Sequence, residues 1–218
     1  MIKAVLIDFD DTLCLTEEAT YYIENTIAQE MGHPPMTREA HQKNWGVIMH
    51  KAIPERFPGI DVDMFLKKFE KALPGFLESK KLDVISDINY QTLQTIKKHG
   101  LKTAIVTSRD LWEVKHLLDE NHELSSYIDA FYHKDNSLHH KPDPRVFIKP
   151  LQELDIKPHE AVYIGDTIGD AESAKGAGMH FIALLESGLK TKKDFDGHVV
   201  DFFAERFPDI LQYLKLTD

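Results

Sequence analysis

The sequence predicts an α/β fold, a doubly wound parallel sheet carrying an inserted helical cap. Three observations predict it. Short apolar runs alternate with helical patterns through the C-terminal two thirds of the chain. A first apolar run at the N-terminus is separated from the others by a block that is helical throughout. Acids and hydroxyls follow several of these runs directly, at the strand ends where such sheets place their chemistry.

The elements follow in order. Ile2 to Ile7 is short, apolar and partly β-branched, which suits a strand buried on both faces. From Glu17 to about Phe76 the pattern is helical. "EEATYYIENTIAQEMG" places Tyr22, Ile23, Thr26 and Ile27 at helical spacing, with Gly32 as a stop. "DVDMFLKKFEKAL" puts Met64, Phe65, Phe69 and Leu73 on one face and is expected to end at Pro74-Gly75. Beyond it, "INYQTLQTIKKHG" is a helix, "KTAIVTS" a strand, "LWEVKHLLDE" a helix and "AFYH" a short strand. Then come a helix over 145–154, the strand "AVYIGD", the helix "GDAESAKGAG", the strand "HFIALL" and a last helix, "DILQYLKL". Pro150 falls inside the helix over 145–154, where a proline costs about 3 kcal/mol in a straight helix. A kink is expected there, or a helix that restarts with Pro150 in its first turn. Residues 1–14 and 81–218 thus read as the α/β core, and 15–80 as the helical insertion.

Composition narrows the function classes. With 218 residues and 42% hydrophobic content the chain can bury a substantial core. A net charge of −10 argues against binding nucleic acid or an anionic membrane. It leaves a small anionic substrate open, because local fields can oppose net charge. The single cysteine, Cys14, permits no intrachain disulfide, consistent with a cytoplasmic protein, and reads as a small buried residue. No signal peptide or membrane span is expected, since acids break the N-terminal apolar run at Asp8.

Four motifs carry chemistry. "DFDDT" puts Asp8, Asp10 and Asp11 directly after the first strand, where clustered like charges need solvent or a cation. A solvated acidic turn is the alternative. Asp61-Val-Asp63 at a helix start and "DFDG" at 194–197 show how acids look when they are surface residues. "IVTS" ends a strand with Thr107 and Ser108, whose hydroxyls and backbone N–H groups can hold phosphate oxygens, although Ser and Thr end many strands. "HHKPDP" supplies Lys141, which alone would read as a loop lysine; its adjacent His139 and His140 lack metal-ligand spacing. "YIGDTIGD" sets Asp166 at a strand tip and Asp170 four residues on, where Asp170 is also a credible helix cap. Together Asp8, Asp10, Asp166 and Asp170 would converge on one sheet edge with Lys141 nearby. Such a set of hard oxygen donors suits Mg²⁺.

This ordered set resembles the haloacid dehalogenase-like hydrolase superfamily, and within it the phosphatases with a small helical cap after the first strand, of the phosphoglycolate phosphatase type. The resemblance runs through "IDFDDTL", "KKHGLKTAIVTS", "KPDPRVF" and "YIGDTIGDAESAKGAGM". It departs at "CLTEE", where members often carry Asp-Ser, and at "VISDINY", where many have a Pro-Gly turn.

The resemblance implies Mg²⁺-dependent hydrolysis of a small phosphorylated metabolite. Asp8 would be the nucleophile and form an aspartyl-phosphate, and Asp10 the general acid and base. That role calls for a proton near neutral pH, which carboxylate neighbours would favour. Mg²⁺ would be held by Asp8, the Asp10 carbonyl and Asp166. Thr107, Ser108 and Lys141 would bind the phosphate, with Asp170 supporting Lys141 or a metal-bound water. Asp11 receives no chemistry. A monomer or weak dimer is expected.

A phosphosugar mutase would keep every one of these residues and differ only in its cap. A dehalogenase would lack the Asp10 acid, and a non-enzymatic binding module would have lost one of the set. In the insertion, Arg38, His41, Lys43, His50, Lys51 and Arg56 are possible anion contacts and Trp45 a stacking surface, with solvated helix charges as the expectation for each cation.

Overall fold

The computed structural model describes residues 1–216. In chain order its elements are β1 (Ala4–Ile7), α1 (Glu17–Glu30), α2 (Arg38–Lys43), α3 (Met49–Arg56), α4 (Val62–Glu78), α5 (Asp87–Lys98), β2 (Lys102–Val106) and α6 (Leu111–Val114). They continue with β3 (Ala130–Tyr132), α7 (Ile148–Glu153), β4 (Ala161–Gly165), α8 (Ile168–Gly176), β5 (His180–Leu184), β6 (Phe202–Ala204) and α9 (Ile210–Leu214). The chain divides into two compact units, Met1–Cys14 with Ile85–Asp218, and Leu15–Val84. No helix among the described residues is long and apolar enough to cross a membrane.

The first unit is built on a six-stranded sheet in the order β3-β2-β1-β4-β5-β6, with every pairing parallel. Strand periodicity divides its core in two, because successive side chains point to opposite faces. Val5, Ile7, Ile105, Val162, Ile164 and Ile182 pack on one face with Leu93 and Ile96 of α5 and Ile210 of α9. Ala4, Leu6, Ala104, Val106, Tyr163 and Phe181 pack on the other with Leu151 of α7 and Ala171 and Ala174 of α8. Continuous apolar runs are therefore required, and they are what made these strands legible.

The chain leaves β1 toward β2 on one side, and β4 joins β1 from the other. The direction of winding reverses between β1 and β4, which opens a crevice at their carboxyl ends. Ile7 is in register with Ile105 and with Ile164, so the residues that follow β1, β2 and β4 meet at one edge.

Several local expectations change. Pro150 lies in the first turn of α7, which restarts at Ile148 after a 3-10 turn at Pro144–Phe147; there the missing proline N–H has no helical acceptor to lose. α4 does not stop at Pro74 but runs on to Glu78, with Phe76 and Leu77 half-buried and the Ser79 N–H donating to the Gly75 carbonyl. The helix expected from Leu111 is one turn, α6, followed by a 3-10 turn at Lys115–Leu118. Strand β6 had no reading in the sequence. It is three residues long, only Ala204 is buried, and it pairs with β5 alone, so its apolar signal is too short to stand out.

The helical unit, residues 15–84, contains a polar network where solvated cations were expected. Glu17 accepts from Arg38 and lies 2.8 Å from His41 Nδ1. Glu24 accepts from Arg56 Nη1 at 2.6 Å, and Arg56 also donates to Asn44 and sits over the Trp45 ring. His41 and Glu24 are fully buried and Arg56 nearly so, which corrects the solvated reading for His41 and Arg56. Lys43, His50 and Lys51 are exposed. Burial pushes Glu24 up to about 7 despite Arg56, and pushes His41 down to about 4.

Arg56→Met strands Glu24 without its cation. Chemical denaturation at pH 8 is expected to show a loss of roughly 3–5 kcal/mol, the typical cost of orphaning one partner of a buried pair. At pH 5 the loss should shrink, because a carboxyl with a raised pKa is protonated there and needs no counter-charge.

Candidate active site

The site forms at the carboxyl ends of β1, β2 and β4. Asp8 follows β1, and its N–H donates to the Ile164 carbonyl at 2.9 Å, which extends the β1–β4 pairing by one residue. Its side chain is held at both oxygens: Oδ1 accepts from the Phe9 N–H at 2.8 Å and Oδ2 pairs with Lys141 Nζ at 2.8 Å. Asp166 follows β4, buried, with the Thr12 hydroxyl 3.4 Å from its Oδ1.

Asp170 does two jobs with two oxygens. Its Oδ2 accepts from the Thr167 N–H at 2.9 Å and from the Thr167 hydroxyl at 2.6 Å, closing a capping box at the start of α8. Its Oδ1 pairs with Lys141 at 2.8 Å. The helix-cap reading and the lysine-support reading of this residue are therefore compatible. Gly165 makes the arrangement possible: a Cβ there would lie 2.5 Å from Asp170 Cγ and 2.6 Å from its Cβ.

Lys141 donates to Tyr163 Oη at 3.0 Å in addition to its two carboxylate contacts, and the Tyr163 hydroxyl donates onward to the Val106 carbonyl at 2.9 Å. Three acceptors thus meet the three protons of one ammonium. Thr107, next after Val106, is buried with its N–H on the Tyr132 carbonyl, and Ser108 beside it is half-buried.

One carboxylate oxygen from each of Asp8, Asp166 and Asp170 lies within 4.8 Å of the others. His139 and His140 are not part of that group. Burial raises Asp8 to about 7, against the Lys141 charge and with that of Asp170. Burial also holds Asp166 well above the usual carboxylate range, reinforced by Asp170, Asp11 and Asp8. For Lys141, burial alone would lower the ammonium pKa, but Asp170 and Asp8 together outweigh it and raise it. Three buried carboxyls share one ammonium, and ionising all three there needs further positive charge, so the donor set fits a hard divalent cation with oxygen ligands.

Asp10 does not join that group. Its carboxylate, expected among other carboxylates, meets a cation instead: Arg109 Nε lies 2.9 and 3.1 Å from its two oxygens, and Nη2 lies 2.6 Å from Oδ1. Asp11, assigned no chemistry, turns the chain. It adopts φ 50° and donates its N–H to the Cys14 carbonyl at 2.7 Å, a backbone conformation Asp tolerates better than most residues. Cys14 is buried, as expected. Sequence reading missed Arg109 and Tyr163. Neither carries a motif of its own: one is a loop arginine and the other an apolar-looking strand residue.

Residues 5–184 match the profile of the family described as Haloacid dehalogenase-like hydrolase. Among curated relatives, the phosphorylated carbohydrates phosphatase of Thermotoga maritima is 26% identical over 204 residues, covering 86% of this chain and 92% of its own. The phosphoglycolate phosphatase of Nitrosospira multiformis is 27% identical over 185 residues, covering 82% and 81%. In fold, the chain superposes on a Bacteroides fragilis structure assigned to the haloacid dehalogenase-like hydrolases with a TM-score of 0.83, 22% identity and coverage of 96% and 100%.

Two expectations follow from the geometry. Gly165→Ala should displace the Asp170 side chain and break its pairing with both Thr167 and Lys141. A lower melting temperature together with a severe loss of activity checks this, while Gly75→Ala in α4, where a Cβ would meet nothing within 4 Å, serves as a control. Glu113 is buried beside Arg109, accepts from the Asp110 N–H at 2.8 Å, and is pushed up by burial to about 7. A carboxyl with a raised folded-state pKa stabilises fully below about 4.5 and loses that contribution as pH rises through about 7. Glu113→Gln keeps the acceptor and cannot ionise, so it should match the parent at pH 4.5 and exceed it by up to a few kcal/mol at pH 8. Thermal melts across that range read the difference.

The family match over most of the chain and the shared fold lead to one conclusion: this chain belongs to the haloacid dehalogenase-like hydrolase family and is a hydrolase of that family.

Proposed function

We propose that the chain is a Mg²⁺-dependent phosphomonoesterase that acts on a small phosphorylated metabolite through an aspartyl-phosphate on Asp8. The observation that carries this reading is Lys141, shared at 2.8 Å between Asp8 and Asp170 on the edge where Asp166 also lies. A carboxylate kept beside a fixed ammonium can approach a phosphate dianion whose oxygens the same ammonium attracts. The curated relatives named as phosphatases support the reaction class.

In this reading Asp8 Oδ2 attacks phosphorus and the leaving oxygen departs on the opposite side. Asp10 gives that oxygen a proton and afterwards takes one from the hydrolytic water. Thr107 and Ser108 hold phosphoryl oxygens through hydroxyl and backbone N–H groups, and Lys141 offsets their charge. Asp170 positions Lys141 and closes the cap of α8. Mg²⁺, held by Asp8, Asp166 and the Asp10 carbonyl, would supply the positive charge that lets carboxylates and phosphate share one crevice. The unit of residues 15–84 is assigned as the cap. Arg38, His41 and Arg56 serve its internal network, so the exposed Lys43, His50 and Lys51 are its better candidates for anion contact.

The test is phosphate release from a generic aryl phosphate. Activity is expected with Mg²⁺ and almost none in excess EDTA. Asp8→Asn should abolish turnover, and Asp10→Asn should reduce it by about 10²–10⁴-fold. Full activity in EDTA, or in Asp8→Asn, would sink the reading. A hexose 1-phosphate isomerised without phosphate release would replace it with a mutase.

A further inference from the structure

In the reading above Asp10 meets the leaving group, and Arg109 meets Asp10. Arg109 is tied into the site from its own backbone, its N–H lying 3.3 Å from Thr107 Oγ1. Its guanidinium lies over the Phe9 ring, 5.0 Å from the centroid, and its fork closes on both Asp10 oxygens. The Arg109 side chain is 10% exposed and that of Asp10 21%. The pair is well anchored yet still reachable from solvent on the Asp10 side.

The position has a chemical consequence. An ester oxygen that takes a proton from Asp10 must come within hydrogen-bond reach of it. The rest of the leaving group then extends past Asp10, beside which the Arg109 guanidinium lies. A carboxylate or second phosphate there would present the same oxygen pair that the fork already grips in Asp10. Exchanging one anion for the other keeps the guanidinium satisfied and frees Asp10 to turn toward the leaving oxygen. A leaving group without an anion offers no such exchange.

We propose that Arg109 is a specificity-determining residue that recognises a second anionic group on the leaving-group side. Good substrates are then phosphate esters carrying a carboxylate or a second phosphate a few bonds from the ester oxygen. This deepens, and rests on, the phosphatase reading.

The experiment compares kcat and KM, with Mg²⁺, for three esters of similar size: 2-phosphoglycolate, ethane-1,2-diol bisphosphate and 2-hydroxyethyl phosphate. The unmodified protein, Arg109→Gln and Arg109→Lys are measured side by side. The unmodified protein should prefer at least one of the two esters that carry a second anionic group, and which one it prefers separates carboxylate from phosphate. Arg109→Gln should lower kcat/KM for that ester by about 10–100-fold, the loss expected for one charge-assisted contact, and change the hydroxyethyl ester far less. Arg109→Lys should recover part of the preference, since it restores charge without the fork. Equal losses on all three esters, or no preference in the unmodified protein, would overturn the proposal and leave Arg109 acting on Asp10 alone. If the unmodified protein hydrolyses none of the three, the generic aryl phosphate tests the phosphatase reading, which fails only when that ester too is left intact. Calorimetric binding of 2-phosphoglycolate and 2-hydroxyethyl phosphate then decides for Arg109: a carboxylate preference lost in Arg109→Gln supports it, and no preference overturns it.

Discussion

The ammonium of Lys141 is the group around which the site is arranged. Buried between Asp8 and Asp170 and donating to Tyr163, it would be costly without those partners, and they would be costly without it. Each partner comes from a different element. Asp8 follows β1, Tyr163 lies inside β4, Asp170 belongs to the first turn of α8, and Lys141 itself sits on the loop before α7. One charge therefore ties together four segments, the first of them far from the other three in sequence. The Tyr163 hydroxyl carries the connection on to Val106, directly before Thr107.

That arrangement depends on a close approach of backbone and side chain. Asp170 can cap α8 and reach Lys141 at once only because Gly165 leaves room for its carboxyl. The sheet order does the rest. Reversal of winding between β1 and β4 sets Asp8 and Asp166 on neighbouring strand ends, and pairing of β2 on the other side of β1 adds Thr107. A parallel sheet buried on both faces offers few other places for polar chemistry, so it collects at this edge.

The carboxylates that remain are sorted by their surroundings. Asp8, Asp166 and Asp170 share a buried space with too little positive charge, the condition under which a divalent cation is favoured. Asp10, only two residues from Asp8, faces Arg109 instead. Asp11 turns the backbone. Three acids within four positions thus have three different tasks. The helical unit shows the same logic with another outcome, since its acids Glu17 and Glu24 are matched by Arg38, Arg56 and His41 inside the unit.

Much of this was legible in the sequence, and for physical reasons. Buried parallel strands must be continuous apolar runs, so five of the six strands announced themselves; β6, three residues long on one edge, did not. Acids placed directly after such runs, Asp8 and Asp166, marked the strand ends where they lie, and Asp170 and Lys141 could be named with them because motifs carried them. Charge partners could not be read. Arg109 and Tyr163 come to Asp10 and Lys141 across 99 and 22 positions of chain, and no local pattern records such a meeting. Nor could solvated cations be told from buried ones in the helical unit, because spacing gives the face of a helix but not what covers it. Local chemistry is written along the chain; which opposite charge each acid meets is decided only when the strands and helices close around it.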